Sequence, residues 1–149
     1  MRVLTLALVV FGLLLSAPAM AGDVDDLKAT FENGVKQWNN QDEAWFAGFH
    51  DQSVSFMPTA PFAVNGNAQN KTNMKRYWNG IETAVFRPLN TQYRVFGSTG
   101  IIWGHYALPA KPKDGPAHTS FGRFTLVCSK MDGKWRMVSS HYSAMPTGN

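Results

Sequence analysis

Gly122-Arg-Phe-Thr-Leu-Val-Cys-Ser-Lys-Met-Asp-Gly-Lys-Trp-Arg-Met-Val-Ser-Ser-His-Tyr-Ser-Ala-Met-Pro146 is the stretch on which the reading of this chain turns. Two β-rich runs flank Asp132-Gly133, a strong hairpin signal. Each run carries a polar residue where a plain core strand carries an apolar one, Arg123 in the first and His141 in the second. Turn geometry decides whether they meet. A two-residue turn sets Arg123 opposite Tyr142 and sends His141 to the other side of the sheet. A three-residue turn with a bulge at Gly133 sets Arg123 opposite His141, with Thr125 opposite Ser139 and Val127 opposite Met137. The three-residue turn is favoured. Phe121, Arg123, Thr125, Ser139, His141 and Ser143 then share one face.

Upstream, Val24, Leu27, Phe31, Val35 and Trp38 follow helical period over residues 24–40. Asp42 is a suitable N-cap for a second, shorter helix with Trp45, Phe46 and Phe49 on its buried face. Ser53 to Met57 reads as a short strand, and Pro61 to Val64 as an extended piece ending at the Asn65-Gly66 turn. A third helix is expected over Asn67–Trp78, closed by Gly80 as a C′ residue. From there the pattern is strands: Val85–Phe96, where Pro88 implies a bulge or an edge, then Ile101–Leu108, Thr119–Lys130 and Lys134–Ser143. Three helices and a long antiparallel sheet make an α+β domain, in which a strongly twisted sheet curls round the helices and leaves a cavity between them.

The chain has 149 residues. Arg2, the apolar run Val3–Leu15 and Ala19-Met20-Ala21 have the three parts of a secretory signal peptide over residues 1–21, too short for a membrane span. The expectation is an exported protein, periplasmic or secreted, with a single domain over residues 22–149 and no membrane association after cleavage. Removal of Arg2 takes the formal charge from +4 to +3. The scattered Lys and Arg residues show no clustered basic face, which argues against nucleic acid and for a small anionic ligand. Cys128 is the sole cysteine, so no intrachain disulfide forms, and a buried structural thiol is expected. His50, His105, His118 and His141 show no metal-ligand spacing, so no metal and no cofactor is expected.

The element order, together with Trp38-Asn39-Asn40-Gln41-Asp42, Val54-Ser55-Phe56-Met57-Pro58, Gly66 and the C-terminal hairpin, resembles the nuclear transport factor 2-like superfamily. The likeness is greatest to its SnoaL-like branch, which includes the association domain of calcium/calmodulin-dependent kinase II. The resemblance implies a cone-shaped α+β fold of cystatin-like type, a homodimer through the outer face of the sheet, and a pocket at the wide end. It also implies that Arg123 and His141 line that pocket. Such folds host isomerases, cyclases, hydrolases, binding proteins and assembly modules.

Within that frame Arg123 holds an anion through its planar fork, or else pairs with a structural carboxylate. His141 is a ligand-orienting group, a general base or acid, or a core histidine. His105, in line with Trp103 on strand alternation, is a second pocket histidine or a core one. Thr125, Ser143, Tyr77, Trp78 and Trp103 complete the expected wall. The acidic residues all fall outside the four long strands, whereas ketosteroid isomerases of the superfamily need a buried carboxylate base. That shifts the expectation from acid–base machinery to recognition of a small anionic, partly apolar ligand. The alternatives are an enzyme with a histidine base and an assembly module.

Overall fold

The computed structural model describes residues 17–145, with side chains described from Gly22 onward. The apolar run of the expected signal peptide lies outside the described residues. Helix α1 spans Ala17–Asn39, so the expected cleavage site falls in its first turns. Leu27 and Phe31 are its buried contacts, and Val24 and Val35 pack beside them. This is the predicted stripe, starting earlier in the chain. Lys130 holds the start of the helix to the sheet through an ion pair with Asp23 and a second with Asp26 at 3.5 Å. Among the described residues no helix is long and apolar enough to cross a membrane.

Asp42 caps the next segment by accepting from the Ala44 N–H at 2.9 Å. That segment is a 3-10 helix over Glu43–Gly48, not the expected α-helix. Strand β1 (Phe49–Phe56) begins at once, so Phe49 belongs to a strand. β2 is only Val64–Asn65. Gly66 follows with φ +82 and precedes α2 (Asn67–Asn79). With φ +82 and ψ 151 its backbone sits where a Cβ is disfavoured, and Gly adopts it without steric cost. Gly80 lies in the right-handed region, so α2 does not end in the left-handed cap expected there.

The remaining strands are β3 (Ile81–Ala84), β4 (Arg87–Phe96), β5 (Thr99–Pro112), β6 (His118–Met131) and β7 (Lys134–Ala144). The sheet runs β2-β1-β7-β6-β5-β3, with β4 also paired to β5. β3 is an addition to the sequence reading. β1 lies parallel to β7, which corrects the expectation of a purely antiparallel sheet. The bulge foreseen at Pro88 lies just beyond it, between Leu89 and Gln92, with Asn90 at φ +51.

The hairpin departs from the favoured register. Asp132 (φ +50) and Gly133 (φ +73) form a two-residue turn, and Met131 pairs with Lys134. Positive φ at both central positions gives the twist that β-strands prefer. Farther along, Val127 pairs with Ser139 but Cys128 with Met137, leaving Val138 as a bulge. That extra residue reverses the facing of everything after it. Arg123 therefore pairs with Ser143, and Thr125 with His141. Arg123 and His141 do share a face, as diagonal neighbours, because of the bulge and not because of the turn.

Candidate functional site

The inner face of the sheet is set by simple alternation. Phe124, Leu126 and Cys128 on β6, Ile102 and Tyr106 on β5, and Ser140 on β7 are buried. Two aromatic-rich clusters result. Leu27, Phe31, Ile102, Phe124, Leu126 and Trp135 form one. Trp45, Phe46, Phe49, Trp78 and Ile81 form the other. Between them the packing leaves a cavity of about 910 Å³, within the usual size of small-molecule sites.

One wall comes from α1 (Phe31, Gly34, Trp38) and another from α2 (Asn73, Met74, Tyr77). The sheet supplies Leu126, Cys128, Trp135, Met137 and Tyr142, and the Met57–Pro61 loop completes the lining. Trp38 stacks with Tyr77 at 6.3 Å across the two helices. Asn39 fixes the end of α1 against the sheet: its Nδ2 donates to the Phe86 carbonyl at 3.2 Å, and its Oδ1 accepts from the Phe86 N–H at 2.7 Å. Phe86 is itself a cavity residue, packed on Tyr106 at 5.4 Å. The Trp38–Asp42 string thus shapes the cavity through a backbone clamp.

The titratable groups of the lining are few. Arg76 is the one formally charged side chain among the described lining residues, which include neither a carboxylate nor a histidine. Burial raises the pKa values of the Tyr77 and Tyr106 phenols. Tyr142 goes up further, through burial and the neighbouring Tyr106 and Cys128. Burial pushes the Cys128 thiol up to about 12. All four are held protonated near neutral pH because charge is costly away from water. Asn70 Nδ2 and Trp135 Nε1, on residues of the lining, are buried donors without a hydrogen-bond partner.

Of the eight residues named from sequence, Tyr77 alone lines this cavity. Trp78 is buried against Trp45 and Phe46 and belongs to the core. Arg123, Thr125, His141, Ser143, Trp103 and His105 lie on the opposite, outer face. There His105 pairs with Arg123, and Trp103 with Thr125. His141 lies 5.8 Å from the Phe56 ring. The expectation that these six wall the cavity is corrected. The reason is alternation: Phe124, Leu126 and Cys128 point inward, so Arg123 and Thr125 point out.

Tyr142, Tyr106, Phe86 and Arg76 are cavity residues that the sequence reading did not select. Tyr142 lies two residues beyond Ser140 and so on the same inner face, but that facing is set by a bulge that the sequence does not announce. Tyr106 was within reach, because it alternates with Ile102 and Gly104 on β5.

The sequence pattern of the SnoaL-like domain family matches residues 19–148. No curated protein matches the chain. Among solved structures, a nuclear transport factor 2-like superfamily protein from Salmonella enterica superposes with a TM-score of 0.76 at 16% identity, covering 86% of this chain and 95% of that one. A Xanthomonas campestris protein, provisionally assigned as a calcium/calmodulin dependent protein kinase II association domain, gives 0.72 at 18% identity, with 82% and 87% covered. A ketosteroid isomerase-like protein from Erwinia carotovora gives 0.72 at 13% identity, with 83% and 97% covered. At these identities the likeness is one of fold.

Proposed function

The chain belongs to the SnoaL-like family of the nuclear transport factor 2-like superfamily, and from its cavity we propose that it binds a flat, largely apolar small molecule with one polar or anionic end. The carrying observation is the lining: aromatic and aliphatic side chains throughout, and a single formal charge at Arg76. Burial of an apolar ligand surface there is worth roughly 25 cal/mol per Å² before the costs of immobilisation. The guanidinium of Arg76, on the exposed side of α2, offers planar donors to a carboxylate or sulfonate at the mouth. This moves the anion contact from Arg123 to Arg76.

Binding is favoured over acid–base catalysis by the same lining. A general base must be able to lose its proton near the working pH. The phenols and the thiol facing the cavity are held protonated instead, and the histidines considered as bases lie on the other face. The N-terminal apolar run supports a working place outside the cytoplasm.

The test uses 1-anilinonaphthalene-8-sulfonate, an apolar ring system with an anionic group. Its fluorescence should rise saturably with the native protein. Gly34→Leu should abolish the rise without loss of fold, since a Cβ at Gly34 meets only the Trp45 ring at ordinary contact distance, 3.9 Å. Arg76→Gln should weaken binding by about tenfold or more, since a hydrogen bond to a charged group is worth about 1.5–3 kcal/mol. Unchanged binding in Gly34→Leu places the dye elsewhere and overturns the reading.

A further inference from the structure

Among the described residues, five buried polar side-chain atoms have no hydrogen-bond partner in the protein. Three of them, Ser53 Oγ, Asn67 Oδ1 and Asn70 Nδ2, belong to the junction of β1 with α2. Ser53 and Asn70 are each only 2% exposed. The backbone draws these residues together. The Gly66 N–H donates to the Ser53 carbonyl at 2.7 Å, and the Asn70 N–H donates to the Gly66 carbonyl at 3.1 Å. Asn67 and Asn70 are three positions apart on α2 and so share one side of it. Ser53 lies on the inner side of β1, as Ser55 does.

The polar groups around them are paired. Ser55 Oγ accepts from Ser140 Oγ at 2.8 Å, and the Asn65 N–H donates to Gln69 Oε1 at 2.8 Å. Asn67 Nδ2 donates to the Phe46 carbonyl at 2.9 Å, which fixes that amide and leaves its Oδ1 as an acceptor without a donor. The deficit is therefore local, and it has a definite composition: one acceptor, one donor and one hydroxyl that is both. Native interiors leave few such groups unpaired, and a buried water making about three hydrogen bonds is a common partner for them. An anion would meet Asn67 Oδ1 and a metal ion would meet the Asn70 amide hydrogens, so water is the species that suits all three.

We propose that one resident water joins Ser53, Asn67 and Asn70, and that it holds the Asn70 amide with its oxygen toward the cavity, where it selects ligands carrying a hydroxyl or N–H donor. The water donates to Asn67 Oδ1, accepts from Asn70 Nδ2 and takes its third bond from Ser53 Oγ. Asn70 lines the cavity, yet its Nδ2 is buried, so the nitrogen end of the planar amide is turned into the protein. The oxygen, at the other corner of the same group, is left for the ligand. A ligand without a donor there leaves that acceptor unpaired, and buried sites discriminate strongly on this ground. Asn70 precedes Arg76 by six residues on α2, so the selected donor lies about 9 Å along the helix from the anionic end of the ligand. Ser53 and Asn67 are not lining residues, and they act as positioning residues through the water. The selection of donors rests on the cavity being the binding site; the water does not depend on it.

A high-resolution crystal structure of the ligand-free protein tests the water directly. Density within hydrogen-bond reach of Ser53 Oγ, Asn67 Oδ1 and Asn70 Nδ2 is expected; a direct bond between any two of them, or no ordered water, overturns the site. Isothermal titration with 2-naphthol and 2-methoxynaphthalene tests the selection, since methylation removes the donor and keeps the oxygen. The native protein should prefer 2-naphthol by about three- to tenfold, the worth of one hydrogen bond between neutral groups. Asn70→Leu, of similar volume, should erase the preference and leave the affinity for 2-methoxynaphthalene unchanged. Ser53→Ala should narrow the preference at least about twofold, again without moving 2-methoxynaphthalene, a split that a general loosening of the fold does not produce. Circular dichroism confirms the fold of both variants. Equal affinities in the native protein, or a preference that survives Asn70→Leu, overturn the selection, and a preference untouched by Ser53→Ala overturns the positioning. Failure of the cavity reading shows differently: neither naphthalene binds, the selection falls with it, and the water is still judged from the crystal.

Discussion

Strands β5, β6 and β7 present two chemistries on the two sides of one backbone. Inward they show Ile102, Tyr106, Phe124, Leu126 and Tyr142, all packed or facing the cavity. Outward, at alternate positions of the same strands, they show Trp103, His105, Arg123, Thr125 and His141. The inner set is chosen by volume and by the exclusion of charge. The outer set keeps its cations, and Arg94 lies over the Trp103 ring at 5.9 Å. A function that needs apolar shape belongs to the first side, and one that responds to charge belongs to the second.

The comparison is broken most severely by adjacent substitutions on β6. Phe124 is fully buried and stacks on Phe31 at 5.7 Å. Phe124→Ala should cost about 3–5 kcal/mol, through lost transfer energy and the void left behind. Thr125→Ala, one residue along and on the outer side, should stay within about 0.5 kcal/mol. Urea denaturation of both variants reads the difference directly. Comparable losses would mean that the two faces are not distinguished as the register requires.

Alkaline pH probes the inner face through Cys128. The Cys128 thiol has its pKa raised by burial to about 12, against about 8.5 in an unfolded chain. A raised folded value means that the native state holds the proton more tightly. The contribution is therefore complete below the unfolded value and falls by about 1.4 kcal/mol per pH unit between the two. Stability measured from pH 8 to pH 10 should decline, and Cys128→Ala should decline less steeply. Equal slopes would show that the thiol is not sheltered from water.

How far these faces could be read in advance follows from particular residues. The stripe from Val24 to Trp38 is local, and it gave the helix. The hairpin at Asp132-Gly133 is local too, and its position was legible. Its facing was not, because Val138 is an ordinary strand residue and nothing in its chemistry marks it as a bulge. The parallel pairing of β1 with β7 joins residues more than eighty positions apart, including the buried Ser140–Ser55 hydrogen bond at 2.8 Å. Sequence period carries no record of such a contact. Arg123 was singled out correctly as an unusual strand residue, but its oddity belongs to the outer face. The absence of carboxylates from the long strands was noticed as evidence about catalysis, and in the structure it describes that same surface.

A smaller effect sharpens the cavity side. Tyr142 sits deep in the molecule but keeps part of its surface toward the cavity. Its protonated phenol is a hydrogen-bond donor there. Tyr142→Phe keeps the ring packing against Phe86, Tyr106 and Phe124. It should lower affinity for an acceptor-bearing aromatic probe such as 2-naphthaldehyde by up to about tenfold, and leave naphthalene unchanged. Isothermal titration of both probes separates the two contributions. Equal loss for both would assign Tyr142 a packing role only.

The least perturbing substitution is the most informative about the residue that first drew notice. Arg123 is exposed, faces Ser143 and His105, and has no carboxylate opposite it. In a protomer kept dilute, Arg123→Ala removes neither an ion pair nor a buried group. Its effect on unfolding should therefore lie within about 0.5 kcal/mol. Dye binding in the cavity should not change, because the guanidinium points away from it. A loss of several kcal/mol, or of dye affinity, would return Arg123 to the inner face and undo the register on which the comparison rests.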